Sequence, residues 1–249
     1  MRVLETLSDL TTWRLGQVNV GFVPTMGALH QGHLSLVKKA KEQTANVVVS
    51  IFVNPTQFND KEDFEKYPRT TEQDLKLLEQ QGVDAVWLPL AKELYPYEPA
   101  MKITEQNLSR QLCGAHRPGH FDGVLTVVMK LFQLVQPDKA FFGEKDFQQL
   151  LLIRRMAEEF FLDVEVVSVP TKREESGLAM SSRNQRLSAT DREKAALIYR
   201  ALKSSPSAEA AKALLEKEDF KVEYVEDLMG RRFAAAWVGG VRLIDNVEV

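Results

Sequence analysis

The chain has 249 residues, 44% of them hydrophobic and 27% charged, with a formal net charge of −3 at pH 7. That length supports one large or two modest cores. The composition is that of an ordinary globular protein, and the charge balance excludes a broad basic face for nucleic acid while leaving room for a local basic pocket. One cysteine, Cys113, excludes an intrachain disulfide and a cysteine-only zinc site; its neighbours Gly114, Ala115, His116 and Arg117 leave a nucleophile open, but a small buried or loop thiol is expected. The first ten residues lack the apolar core of a signal peptide. The most apolar stretch, Val124–Val135, is broken by Thr126, Lys130 and Gln133 and is too short for a bilayer, so a cytoplasmic protein with no membrane partner is expected.

Along the chain, Val18, Val20, Phe22 and Val23 form a β-rich run that Pro24 is expected to stop, because proline cannot donate to a ladder. From Gly32 the pattern turns helical through Leu34, Val37 and Ala40. Val47–Val53 reads as a strand, Leu75–Gln81 as a helix and Asp84–Leu88 as a strand. Val124–Gln136 reads as a buried helix and Ala140–Gly143 as a short strand. Asp146–Phe161 reads as an amphipathic helix with Phe147, Leu150, Leu151, Ala157 and Phe160 inward, and Val164–Val169 closes the series as a strand. Apolar strands separated by helices predict an α/β fold whose parallel sheet is covered on both faces, with ligands beyond the carboxyl ends of its strands. After Pro170 the character changes. Ser188–Lys203 and Ala208–Lys217 read as helices, followed by strands at Lys221–Val225, Phe233–Val238 and Val241–Ile244, with Gly239-Gly240 as a hairpin turn. The expected organisation is a parallel-sheet α/β unit over residues 1–171 and a smaller α+β unit over 172–249.

The most informative segment is residues 18–33, a strand, a tight turn and a helix that begins with His30 and His33. A helix N-terminus offers unpaired N–H groups and partial positive charge to a phosphate, and residues three apart share a face. Gly27 and Gly32 are expected to let backbone approach a ligand. A zinc pair is the competing reading, but the metalloprotease pattern needs an i, i+4 spacing with a glutamate between. The four histidines, at 30, 33, 116 and 120, fall in two short clusters. Gly143-Glu144-Lys145-Asp146 is a second loop feeding a helix, with a lysine for phosphate; Asp146 reads equally as an N-cap. Met180-Ser181-Ser182-Arg183-Asn184 offers hydroxyls, a guanidinium and an amide to a polyphosphate. Asn54-Pro55-Thr56-Gln57-Phe58 supplies an amide suited to a hydroxy acid, and Arg69 and Arg117 add cations.

The segments Pro24–His33, Phe52–Phe58, Phe142–Gln149 and Met180–Asn184 closely resemble the pantoate–β-alanine ligase (pantothenate synthetase) family, in order, and the resemblance returns at Arg242–Asn246. It implies a Rossmann-like parallel-sheet domain with a small α+β lid, commonly in a homodimer, within the His-x-x-His nucleotidyltransferases. The implied reaction joins pantoate and β-alanine with ATP through a pantoyl adenylate, releasing AMP and pyrophosphate. Carried across, Met26, Gly27, Ala28, Leu29, His30, Gln31, Gly32 and His33 line the ATP site. Gly143, Glu144, Lys145 and Asp146 join it, as do Lys172, Met180, Ser181, Ser182 and Arg183. Gln57 and Gln149 take pantoate, and Gln57 also lies near β-alanine. The catalytic group is His33, with His30, Lys145, Ser181, Ser182 and Arg183 stabilising the same transition state. Mg²⁺ is expected with ATP and no metal is expected on the protein. Three positions depart from the family pattern: Gln31 for a glutamate, Phe147 for a tyrosine and Lys172 for a small apolar residue. The region from 204 to 233 is also short. The rival readings are another nucleotidyltransferase of the superfamily, a zinc hydrolase using His30, His33, His116 and His120, and a non-catalytic nucleotide binder.

Overall fold

The computed structural model describes residues 1–249. Six parallel strands build the larger sheet: β1 (Arg2–Leu4), β2 (Val20–Thr25), β3 (Asn46–Ile51), β4 (Ala85–Trp87), β5 (Lys139–Gly143) and β6 (Glu165–Val169), in the order β1-β4-β3-β2-β5-β6. Setting aside the edge strand β1, this is the doubly wound order, with its switch point between β2 and β5. The helices between them are α1 (Leu7–Arg14), α2 (Gln31–Gln43), α3 (Lys61–Glu65), α4 (Thr71–Gln80), α5 (Ala91–Leu94), α6 (Cys113–His116), α7 (His120–Val135) and α8 (Phe147–Glu159). Then follow α9 (Ala189–Ala195), α10 (Leu197–Ser204) and α11 (Ala208–Lys217), and an antiparallel sheet of β7 (Lys221–Leu228), β8 (Arg231–Val238) and β9 (Val241–Glu248).

Alternation along the strands sorts side chains between the two faces. Phe22, Val48, Trp87, Ala140 and Phe142 join a core with α1, α7 and α8, while Val23, Val47, Val49, Val86 and Phe141 join a second core with α2 and α4. Both faces are therefore covered, which is what the nearly continuous apolar strands require. The small sheet is used twice in the same way. Phe233 and Ala235 on β8 pack into the first core, and Ala234, Ala236 and Val238 face a third core with α10 and α11.

Several local expectations are corrected. Pro24 does not end β2; it pairs with Ser50. Val20 offers its carbonyl toward β5, accepting from Asp138, and Thr25 offers its own toward β3, accepting from Phe52. By strand alternation the missing N–H of Pro24 faces β5, whose pairing with β2 stops at Phe22, so no ladder bond is lost. Val18 lies outside the strand and is exposed. On α8 the inward set is Gln148, Leu150, Leu152, Ile153, Met156 and Ala157; Leu151 is half-buried, and Phe160 is exposed just past the helix end. The stretch 188–203 is two helices that meet at Ala196. β1 and α1 were not expected: three strand residues and a weakly amphipathic helix give too little periodicity.

Candidate active site

The C-terminal ends of β2, β3, β5 and β6 open on one cleft of about 230 Å³. It is lined by Met26, His30, Gly32 and His33 after β2, by Asn54 and Gln57 after β3, by Gly143, Lys145, Asp146 and Gln149 after β5, and by Thr171 and Lys172 after β6. Met180, Ser181, Ser182 and Arg183 close its far side. It lies where a doubly wound sheet places its ligand. Among the expected site residues, Gly27, Ala28, Leu29, Gln31 and Glu144 do not line it. Gln31 is exposed, Leu29 is buried, and the Glu144 carboxylate turns away to Arg231.

The turn after β2 is forced into shape from beneath. Gly27 and Ala28 both have left-handed backbones, at φ 78 and φ 50. The Asp74 carboxylate, 1% exposed, accepts from the Ala28 N–H (2.9 Å), the Leu29 N–H (2.8 Å) and the Thr70 hydroxyl (3.1 Å), holding the strained turn in place. The turn then delivers His30 as the N-cap of α2. The His30 Nδ1 accepts from the Gly32 N–H (3.1 Å) and the His33 Nδ1 accepts from the His30 N–H (3.3 Å), the two rings lying 4.1 Å apart. Both Nδ1 atoms are acceptors, so each neutral ring carries its proton on Nε2. Burial, reinforced by Lys145, holds the His30 pKa down to about 4; burial, then His30 and Lys145, takes His33 to about 3. The pair is thus neutral and presents N–H donors to the cleft. Gly32 has a further role: a Cβ there would lie 2.8 Å from the His30 ring, so glycine makes room for the imidazole.

The other walls are held in comparable ways. The Ser182 hydroxyl donates to the Ala28 carbonyl (3.0 Å), tying the 180–183 loop to the turn after β2, and Ser181 caps the loop by accepting from the Arg183 N–H. Arg183 and Arg186 share Asp63. The Lys145 ammonium lies 3.6 Å from Asp146, whose carboxylate makes no capping bond at the start of α8. Gln57 sits on a tight turn at Pro55–Gln57. Its Oε1 accepts from Asn54 (3.0 Å), while Asn54, 1% exposed, also donates to the Gly123 carbonyl (3.2 Å). The neighbouring Gln148 is buried and its amide is taken up by Cys113, Leu108 and Gln111, whereas Gln149 faces the cleft. Val124, Val127, Val128 and Leu131 of α7 make an apolar wall opposite.

Sequence reasoning missed Asp74, Asn54 as a ligand-wall residue, and the α7 valines. Asp74 reads as an ordinary acid in the first turn of a helix, and an i, i+3, i+4, i+7 apolar set reads as core. The other histidines lie apart from the pair. His120 accepts from Arg117 through Nε2 and donates through Nδ1 to the Gln57 carbonyl at 2.8 Å, with burial and Arg117 lowering its pKa to about 3. His116 stacks on Tyr224 in an adjoining cavity of about 470 Å³. Arg117 lines that cavity and donates to the Gln57 carbonyl, whereas Arg69 binds local carbonyls and lines neither space. Cys113 is buried, its sulfur 3.0 Å from the Tyr224 hydroxyl. No three His, Cys, Asp or Glu side chains are grouped to hold a metal ion, and no helix is long and apolar enough to cross a membrane.

A family model described as pantoate-beta-alanine ligase matches residues 2–248. Pantothenate synthetase of Bdellovibrio bacteriovorus is 55% identical over 249 residues, covering 100% of this chain and 99% of the relative; that of Coxiella burnetii is 48% identical over 99% and 96%. The short 204–233 region is therefore no peculiarity of this chain, since these relatives match it end to end. The pantothenate synthetase crystal structure from Thermus thermophilus superimposes with a TM-score of 0.93 at 43% identity, over 100% of this chain and 99% of that one. A pantoate-beta-alanine ligase from Francisella tularensis, crystallised with beta-gamma ATP and beta-alanine, gives 0.95 at 40% identity over 100% and 97%. With its doubly wound sheet, its histidine-capped cleft and a match along essentially its whole length, the chain belongs to the pantoate–β-alanine ligase family.

Proposed function

We propose that this cleft condenses pantoate with β-alanine, driven by ATP, by way of a pantoyl adenylate, and releases AMP and pyrophosphate. The observation that carries the reading is the juxtaposition, in one cleft, of phosphate donors and an acid site. The donors are the neutral His30–His33 pair, Lys145 and Arg183. The acid site is the Gln57 and Gln149 amides set beside the apolar wall of α7. Pantoate is a short acid with two hydroxyls and a dimethyl carbon, which suits amides on one side and valines on the other.

In the first step a carboxylate oxygen of pantoate attacks the α-phosphorus, the P–O bond to pyrophosphate breaks, and the electron pair leaves with pyrophosphate. The barrier is charge repulsion and misalignment, and both are met by fixed donors. The Nε2–H groups of His30 and His33 donate to phosphate oxygens, His33 being the principal catalytic group, and Lys145 and Arg183 supply positive charge. Ser182 keeps the loop carrying Arg183 against the turn after β2, and Ser181 shapes that loop. Asp146 is the one carboxylate lining the cleft, which fits a Mg²⁺ held chiefly by ATP oxygens, there to neutralise the phosphates. In the second step the neutral amine of β-alanine attacks the acyl carbon, AMP departs, and the amine loses a proton.

Gly27, Ala28 and Leu29 serve the ATP site by shaping the turn that delivers His30, since their N–H groups are taken by Thr25 and Asp74. Lys172 lines the cleft, where the family resemblance carries a backbone contact. The family also supports a homodimer acting in the cytoplasm, for which light scattering and cell fractionation are the checks. The deciding measurement is isotope exchange between pyrophosphate and ATP with pantoate present and β-alanine absent. Exchange is expected, followed by AMP formation in step with pantothenate once β-alanine is added. Stoichiometric ADP and phosphate, with no exchange, would overturn the mechanism.

A further inference from the structure

The Arg242–Asn246 segment carries the family resemblance at the end of the chain, yet none of its residues lines the 230 Å³ cleft. Asn246, on β9, is 3% exposed and fully engaged. Its Nδ2 donates to the Glu144 carbonyl (2.9 Å) and the Lys145 carbonyl (3.0 Å), and its Oδ1 accepts from Arg231 (2.6 Å). Arg231 in turn bonds the Glu144 carboxylate (3.3 Å) and lies over the Phe147 ring, 4.1 Å from its centre. The tight turn Glu144–Asp146 makes no side-chain capping bond of its own. Its backbone is thus fixed from the second sheet, by a residue 102 positions on from Glu144. The next residue back, Asp245, takes the Arg173 guanidinium in two bonds of 2.6 and 2.9 Å, beside Lys172 on the opposite wall.

We propose that Asn246 is a positioning residue for adenylate formation: its amide fixes the Glu144–Lys145 backbone so that the Lys145 ammonium reaches the phosphates in register with His30 and His33. The inference rests on the nucleotide reading above. A lysine is a compact charge on a flexible stem, so its usefulness depends on where its backbone is anchored, and a misplacement of about 1 Å costs on the order of a hundredfold in rate. The second step needs no contact with departed pyrophosphate and should be indifferent to the anchor.

The test uses Asn246→Asp, which keeps the acceptor for Arg231 but turns carboxylate oxygen toward two carbonyl oxygens, removing both donor bonds. Pyrophosphate–ATP exchange is expected to fall by about ten- to a hundredfold. Conversion of separately supplied pantoyl adenylate and β-alanine to pantothenate should stay within about twofold of the parent chain. Asn246→Ala should give the same split if it folds, as judged by thermal melting. Undiminished exchange in Asn246→Asp, or equal loss in both half-reactions, would overturn the positioning role. Absence of exchange in the parent chain would instead overturn the nucleotide reading and the inference with it.

Discussion

Acidification from pH 7 to pH 5 should cost this fold about 6 kcal/mol, more than its ordinary carboxylates can account for. In the unfolded chain an imidazole takes its proton near pH 6.5. In the fold, burial keeps His30 neutral to about 4, and His33 and His120 to about 3. Between those values the unfolded chain binds more protons, so stability is present above pH 6.5 and is lost as pH falls, until each folded ring protonates. By pH 5 each ring contributes a loss of about 2 kcal/mol, and the three together remove much of the 5–15 kcal/mol that stabilises a typical domain. Carboxylates act in a lower window. Glu174 is held low by Arg192, and Asp63 and Glu223 are held low, against their own burial, by Arg183 and Arg242; all keep their contribution above pH 5. Urea unfolding followed by tryptophan emission at pH 7, 6 and 5 measures the loss, and imidazole NMR gives the midpoints. A loss under about 2 kcal/mol, or His30 and His33 titrating near 6.5, would refute both the neutral pair and the donor role built on it.

Gly123→Ala would put a Cβ 2.4 Å from the Thr56 carbonyl oxygen. Backing the Pro55–Gln57 turn off α7 should cost about 1–3 kcal/mol and raise the KM for pantoate more than that for ATP; equal KM values for both substrates in variant and parent would contradict the packing argument. Gln57→Ala and Gln149→Ala should each weaken pantoate binding by about 1–3 kcal/mol while sparing ATP, a difference that calorimetry resolves directly. The purified protein should hold no stoichiometric zinc by elemental analysis, and EDTA should stop turnover only until excess Mg²⁺ is restored. One tightly held zinc per chain, with Lys145→Ala fully active, would revive the hydrolase alternative.

What was legible in the sequence was whatever a strand end writes within a few residues. The turn after β2, the Asn54–Phe58 turn and the Lys145 loop each combine an apolar run with a polar signal at its carboxyl end, and a parallel sheet gathers such ends together. The Ser181–Arg183 run lies well past the end of β6 at Val169 and was legible from its residue types alone. The α11 limits and the Gly239-Gly240 hairpin were equally local. Contacts between distant segments were not legible. Nothing near residue 74 announces that its carboxylate will hold residues 28 and 29, and nothing near 246 points to 144 and 145. The second hairpin, at Met229-Gly230, was hidden for another reason: Met229 adopts φ 51 without being one of the residues that advertise such a turn. Pro24 misled because its effect depends on which neighbour its nitrogen faces, and that is a property of the sheet rather than of the strand.

The neutrality of His30 and His33 also bears on how one cleft serves two steps with different demands. The first step needs an ionised pantoate, which any pH above about 5 supplies, and imidazoles that donate without gaining a proton. The second needs the β-alanine amine uncharged, and an alkylammonium with a pKa of about 10 yields that form only as pH rises. Two charged imidazolium rings beside Lys145 would satisfy the first demand only in acid, where the second fails. Lowering both ring pKa values removes the conflict, because the donors are then ready at every pH at which the amine is. Pyrophosphate–ATP exchange should accordingly stay level between about pH 6 and 9, while complete turnover rises through the same range with the free amine. An exchange rate that climbs on acidification with a midpoint near 6.5 would mean that the imidazolium form is the active one.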